Sequence, residues 1–361
     1  MRIRAERDEL ADVFSRANRA VGLRPAQPIL QGILCETVGS KLRVTGTDLE
    51  MTIRTTAEVD VQEEGRVVVP GRLATEAIRK LPSGSVTLEA SDAEVVITGR
   101  GPKFSLRELP AVDYPELSDP TFEGALDVDG DTLGNAINQV TVAASADAAR
   151  PILTGVLFEP SADGVRLVAT DSYRLALREL EGFSLKESGL VPARGLRELS
   201  RSIGAKQMQA SVGTREIVFG STRGSLTLRL IEGNFPNYGS LLPQSYPNRL
   251  VVSKEQLLEA LGRAALVAED HIPVRIRMRD GGAEMTVTRQ DVGGEVEHLP
   301  GEFEGSAEEV LIAFNPKYLS EGVSAMSTDD VEIQVSDGLK PAVLRGVDDA
   351  SFLYLLMPVR I

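Results

Sequence analysis

The sequence has 361 residues, 42% hydrophobic and 25% charged, which suits a folded protein of two or three domains rather than one core. The opening MRIRAERDEL is charged at once, so no signal peptide is expected, and no apolar run reaches the roughly 18 residues of a membrane span. The single cysteine, Cys35, excludes an intrachain disulfide and fits a cytoplasmic location, while a net charge of −14 argues against nucleic-acid binding unless positive charge is gathered locally.

The first segment, DELADVFSRANRAV, places Leu10, Val13, Phe14, Ala17 and Val21 at helical spacing. PILQGILCE (residues 28–36) and KLRVTGTDLEMTIR (residues 41–54) follow, the latter rich in Val, Ile and Thr and broken by a turn, as paired strands require. A second helix is predicted after Pro70, and SVTLEASDAEVVITG and KFSLREL read as further strands. The Pro-rich YPELSDP then ends the pattern as a connector.

The same order begins again. DTLGNAINQVTVAA aligns Leu133 with Leu10, and PILTGVLFE repeats PILQGILCE at an offset of 123 residues. VATDSYRLALR sets Thr170 and Asp171 where Thr47 and Asp48 stand, again 123 residues on. Pro192 answers Pro70, Leu226 answers Phe104, and NFPNY answers DYPEL before a second connector, FPNYGSLLPQSYP. A more diverged third copy carries EQLLEALGRAALVA, aligned through Leu257, and FNPKYLSEGV, aligned through Pro316. Three units are therefore expected at 1–120, 121–246 and 247–361, each an α+β module of two helices packed on antiparallel sheet.

Chemistry is sparse. His271 and His298 lack metal-ligand spacing and lie far from Cys35, and no nucleophile elbow, P-loop or dinucleotide-binding glycine pattern is present. Gly281-Gly282 and Gly293-Gly294 read as turns. Asp48 and Asp171 could pair for acid–base work, but duplicated Thr-Asp steps at strand ends are expected to bond their own turns. No catalytic residue, metal or cofactor is expected, which favours a binding role over the alternative of a three-module enzyme.

ATDSYRLAL (residues 169–177) and the terminal LYLLMPVRI, with PILxGxLxE, TGTDLEM, EGNFPNY and FNPKYL in order, make the whole chain resemble the bacterial sliding clamps, the β subunits of DNA polymerase III. The resemblance implies that two chains join head to tail in a closed six-domain ring, with twelve helices lining a hole around duplex DNA. At about 10 Å per helix the lining circle is about 38 Å across, wide enough for a duplex and water. The partners implied are double-stranded DNA held topologically, a second copy of the chain, the replicative polymerase, the clamp loader, and other polymerases and repair proteins. No membrane is implied. A paralogue that resists a clamp-targeting antibiotic would share the same sequence features.

The proposed lining segments 7–21, 71–81, 131–145, 194–206, 254–268 and 315–326 carry a combined +4, leaving −18 for the remainder. A mildly basic lining suits a ring that slides, since each phosphate contact adds affinity and salt dependence. Arg72, Arg79, Lys80, Arg194, Arg197, Arg201 and Lys206 are candidates for loose phosphate contact, and Arg24 and Arg150 match loops that approach DNA in the family. The resemblance also implies an apolar-peptide cleft. Leu153, Thr170, Ser172, Tyr173, Arg174 and Leu175 would form one wall; Pro243, Asn315, Tyr318, Leu339, Pro341, Leu356, Met357, Pro358, Val359 and Arg360 would complete it. Tyr173 stands where many family members have His, and Val359 and Ile361 vary the usual ending. The dimer seam maps to Phe104 and Leu106 against Leu266 and Val267 of the other copy.

Overall fold

A computed structural model of the chain describes residues 1–22, 25, 27–91, 93–122, 124–183, 185, 187–242, 245–268 and 272–360. Arg24, Pro243 and His271 lie outside the described residues. Six α-helices are present among the described residues: α1 (Arg7–Ala17), α2 (Gly71–Lys80), α3 (Gly130–Thr141), α4 (Ala193–Ser202), α5 (Lys254–Ala264) and α6 (Pro316–Ser324).

The first helix of each copy buries one stripe at the same four positions. Leu10, Val13, Phe14 and Ala17 are buried in α1, Leu133, Ala136, Ile137 and Val140 in α3, and Leu257, Ala260, Leu261 and Ala264 in α5. This is the i, i+3, i+4, i+7 face of an amphipathic helix. Asp8 and Glu9 open α1 and Arg16 closes it, in the sense the helix dipole favours. The second helices share a register too, with Ala74, Ala77 and Ile78 matched by Leu196 and Leu199 and by Leu319 and Val323.

That register corrects the proline alignment. Pro70 and Pro192 end strands and α2 and α4 begin one residue later, whereas Pro316 is itself the first residue of α6. Asn315 therefore takes the place of Pro70 and Pro192. It caps α6 by accepting from the backbone N–H of Lys317 and Tyr318 at 3.0 and 3.1 Å. The helices are also shorter than the segments expected for them. α4 stops at Ser202, so Lys206 lies beyond it, just before the strand Gln207–Val212.

The chain divides into two compact units, Met1–Gly134 with Arg194–Leu230, and Asn135–Ala193 with Ile231–Ile361. The middle copy is shared because its last strands join the first copy's sheet. In the first unit, Gly224–Arg229 pairs antiparallel with Met51–Glu58, matching Ser225 to Arg54 and Leu228 to Met51. That eight-stranded sheet runs from Leu126–Asp129 at one edge to Arg66–Pro70 at the other. A separate five-stranded sheet ends on Lys103–Arg107, an edge strand. In the second unit, Phe352–Leu356 pairs with Arg174–Glu181 within a twelve-stranded sheet. Each sheet buries a Val-, Ile- and Leu-rich face; Ile33, Val44, Val67, Val86 and Ile97 pack with the α1 stripe in the first unit.

The Thr-Asp steps are turns, as expected. Thr47 Oγ1 donates to the Met51 carbonyl at 3.0 Å, and Thr170 Oγ1 to that of Arg174 at 2.7 Å. Asp48 Oδ1 accepts from the N–H of Glu50 and Met51, and Asp171 Oδ1 from those of Tyr173 and Arg174, all at 2.8–3.1 Å. Leu49 and Ser172 sit between them at φ 74° and 82°, a left-handed conformation that these bonds hold for non-glycine residues.

Candidate functional site

The cleft residues expected from the sequence lie in the second unit, around the Asp171 turn, α6 and the strand Phe352–Leu356. Strand pairing sets Arg174 opposite Leu356, and the Met357 N–H continues the ladder to the Tyr173 carbonyl at 2.9 Å. The Val359 N–H then bonds the Ala313 carbonyl at 2.8 Å, so the tail passes beside the start of α6 instead of continuing in the sheet.

Two tyrosines meet at the surface. Tyr173 and Tyr318 stack with ring centroids 6.2 Å apart and planes inclined by 29°. Tyr173 is 58% exposed, and Leu339 and Met357 are also exposed, so apolar surface remains uncovered. Leu339 rides on a turn fixed by Asp337, which accepts the N–H of Leu339 and Lys340 at 2.8 and 3.0 Å. Pro341, Pro358 and Val359 are half-buried, and Ser172 and Arg360 are exposed. Leu153, Leu175 and Leu356 are buried and form floor rather than surface. Leu175 belongs to an apolar cluster with Val343, Leu355 and Leu242.

A buried polar frame carries the two rings. Arg174, 8% exposed, donates from Nε to Asp171 Oδ2 at 2.9 Å, pairs with Glu321 of α6 through Nη1, and reaches the Tyr354 hydroxyl at 3.3 Å. Its guanidinium lies 4.3 Å from the Tyr318 ring centroid. The Tyr354 hydroxyl in turn donates to the Tyr318 carbonyl at 2.9 Å. Gly322 makes this approach feasible, since a Cβ there would come within 2.3 Å of the Tyr354 ring. Burial opposes the Arg174 charge, but Tyr354 and Glu321 outweigh it and raise its pKa, so the cation is fixed at any ordinary pH. Burial also raises the pKa of the Tyr354 and Tyr318 hydroxyls, keeping both neutral. Sequence reading missed Glu321 and Tyr354; the spacing of Glu321 one helical turn after Tyr318 was the available signal for the first.

The described basic candidates are all exposed, but several are partnered. Arg72 pairs with Glu76 at 3.1 Å, Arg150 with Asp147 at 2.9 Å, Arg194 with Asp48 at 3.1 Å and Arg201 with Glu198 at 3.6 Å. The Arg72 and Arg150 pairs are exposed on both sides and so are weak, whereas the carboxylates of Asp48 and Glu198 are largely buried. Arg79 and Lys80, in the last turn of α2, form no ion pair among the described residues. Among the seam candidates, Leu106 is buried in its own core and Phe104 half-buried, while Leu266 is 85% exposed and Val267 half-buried. Among the described residues no group of His, Cys, Asp and Glu is arranged to hold a metal, and no helix is long and apolar enough to cross a membrane.

Comparison with known proteins joins these features. The chain matches the DNA polymerase III beta subunit family in three consecutive parts: its N-terminal domain over residues 1–118, central domain over 127–237 and C-terminal domain over 239–360. The chain belongs to the DNA polymerase III beta subunit family. It is 33% identical to the beta sliding clamp of Streptomyces coelicolor, with all of both chains covered. The crystal structure of the DNA polymerase sliding clamp from Bacillus subtilis superposes with a TM-score of 0.94 at 26% identity, covering 100% of this chain and 99% of that one. The beta subunit from the DNA polymerase of Streptococcus pyogenes gives 0.93 at 26% identity with both chains fully covered. The fold is the three-domain sliding-clamp fold of that family, and the α+β repeats are its domains.

Proposed function

We propose that this chain is a cytoplasmic, non-catalytic DNA sliding clamp, with domains at 1–120, 121–246 and 247–361. Two copies close head to tail around duplex DNA. The ring tethers the replicative polymerase, the clamp loader and other replication and repair proteins, each inserting a short apolar peptide beside Tyr173 and Tyr318. The observation that carries this reading is exposed Tyr173, stacked on Tyr318 and bonded to the Met357 N–H beside the buried Arg174–Asp171 pair, in a chain that matches the family along its length. An apolar anchor gains most where a preformed concave surface needs no ordering, and a flexible Met wall accepts different side chains.

Ring closure has a local rationale. The last strand of the second copy fills the open side of Met51–Glu58, and the last strand of the third fills that of Arg174–Glu181. Lys103–Arg107, the corresponding strand of the first copy, has an unpaired side. The strand beginning at Gly293, which follows the matching hairpin of the third copy, is paired over Gly293–Pro300, among the described residues, only to Gly282–Arg289. Val296 on it is 71% exposed. These two open edges are complementary, so a second copy supplies what each lacks.

The deciding experiment loads the protein onto nicked circular duplex with a bacterial clamp loader. Retention on the circle, with loss once the circle is cut, is expected. Equal retention on linear DNA with free ends refutes the topological link.

A further inference from the structure

The structure assigns a second ligand site to the first unit: a cavity beneath the Leu117–Phe122 connector that takes a small amphiphilic carboxylate on the guanidinium of Arg54. The cavity holds about 1050 Å³ and is lined by Arg43, Arg54, Pro120, Phe122, Val128 and Met208, among others. It is open to solvent on one side; Pro120, Phe122, Val128 and Met208 offer apolar surface to a hydrocarbon or aromatic body, and Asp119, Asp127 and Asp129 line it as well.

Arg54 is the anomaly. It is 9% exposed, and its only hydrogen bond among the described residues runs from Nη2 to the Leu117 carbonyl at 3.0 Å. Nε and Nη1 have no protein partner there although the residue lines the cavity. Neither nitrogen is sealed from solvent, so a ligand in the cavity can reach them. Among the described residues, the nearby carboxylates each have a bond of their own. Asp119 pairs with Arg43 at 3.4 Å, Glu36 with Arg66 at 3.3 Å, Asp127 accepts from Gln209 at 3.1 Å, and Asp129 accepts twice from Thr132. Lys206, also lining the cavity, adds a further positive charge.

The second copy shows that the module does not require this arginine. Leu177 stands 123 residues after Arg54, and Arg166 stands 123 after Arg43. The cavity under the second connector is about 540 Å³, and its Arg166 is paired with two carboxylates, Glu179 at 2.6 Å and Glu159 at 3.2 Å, and also donates to the Tyr238 hydroxyl at 3.2 Å. Glu179 answers Thr56 of the first copy, which cannot neutralise a cation. The first cavity is therefore larger and lacks a counterpart of Glu179, and a ligand carboxylate can accept from Arg54 Nη1, which donates to no described residue. Burial lowers the pKa of Arg54, with Asp119 only partly opposing it, in line with an incompletely compensated charge.

The test is a ligand-observed NMR titration of the intact protein with 4-phenylbutyrate and with 4-phenylbutan-1-ol. One acid per chain is expected to bind at least tenfold more tightly than the alcohol, and Arg54→Leu, the residue of the second copy, is expected to remove that preference while unfolding stays cooperative. Equal binding of acid and alcohol to the unmodified protein overturns the assignment whatever the variant does. So does an unchanged preference in folded Arg54→Leu. Displacement of the acid by an apolar clamp-binding peptide would place it in the Tyr173–Tyr318 cleft and overturn the site without touching the clamp reading.

Discussion

Replacing Arg174 by Met puts into the second copy the residue that the first carries at the same position, Met51. The substitution deletes the hub of the polar frame. Asp171, with its side chain only 10% exposed, keeps the backbone N–H bonds at 2.9 and 3.0 Å but loses its counter-charge. Breaking a buried pair costs about 3–5 kcal/mol, and the retained N–H bonds favour the lower end. Glu321 is 36% exposed and is screened once released, so it adds about 1 kcal/mol or less. A local loss of about 3 kcal/mol corresponds to roughly hundredfold faster opening, provided opening is sub-global. Amide hydrogen exchange is the suitable assay, because a chain of several domains has no single unfolding free energy. Amides of Arg174–Glu181 and α6 should exchange about a hundredfold faster, with those of Met51–Glu58 unchanged. The Tyr318 ring also loses the cation 4.3 Å away, worth about 1 kcal/mol or fivefold in peptide affinity. Exchange within threefold of the parent would refute the frame, as would Glu321→Gln reproducing the whole effect.

Three further outcomes follow from the same geometry. Deleting residues 357–361 removes the Met357 and Val359 backbone bonds and one wall of the cleft; a fluorescent apolar peptide should no longer bind, while sedimentation still shows a dimer. Arg79→Ala with Lys80→Ala should weaken DNA binding alike for all sequences and flatten the log–log salt slope by about 0.9 per lost contact; an unchanged slope would remove α2 from the DNA-facing set. Phe104→Glu places a charge on the open edge strand and should yield monomers in a velocity run at micromolar concentration; a persistent dimer would place the seam elsewhere.

What the sequence disclosed was whatever repeats or obeys a local rule. The helical stripes led by Leu10, Leu133 and Leu257 were legible because an amphipathic helix needs apolar residues at fixed spacing. The Thr-Asp turns were legible because their bonds close within four residues. The third copy's second helix was misaligned by one residue, since Pro316 enters the helix where Pro70 and Pro192 precede theirs, and proline is at home in both places. The frame under the cleft was not legible. Arg174 and Glu321 lie 147 residues apart, and Arg174 and Tyr354 lie 180 apart; only the fold brings them together. Arg54 gave no signal either, because an arginine in a strand says nothing of its burial until the connector crosses it.

The repeats also explain why the two duplicated turns present different surfaces. The Asp48 turn and α4 in the first unit stand to the Asp171 turn and α6 in the second at one common offset, 123 residues. Position by position, Tyr173 answers Glu50, Arg174 answers Met51 and Tyr318 answers Gly195. The first unit thus has an exposed carboxylate and a glycine where the second has two stacked rings. A side chain at Gly195 would have to displace the end of the buried Leu228 side chain, since its Cβ would lie 2.3 Å from Leu228 Cδ2. Asp48 Oδ2, freed from a guanidinium on its own strand, takes Arg194 of α4 instead and leaves that cation 63% exposed. The same hydrogen-bonded turn therefore presents charge in one unit and apolar aromatic surface in the other, and an apolar peptide gains burial only at the second. The divergence lies in the side chains, while the turns that display them make the same backbone hydrogen bonds.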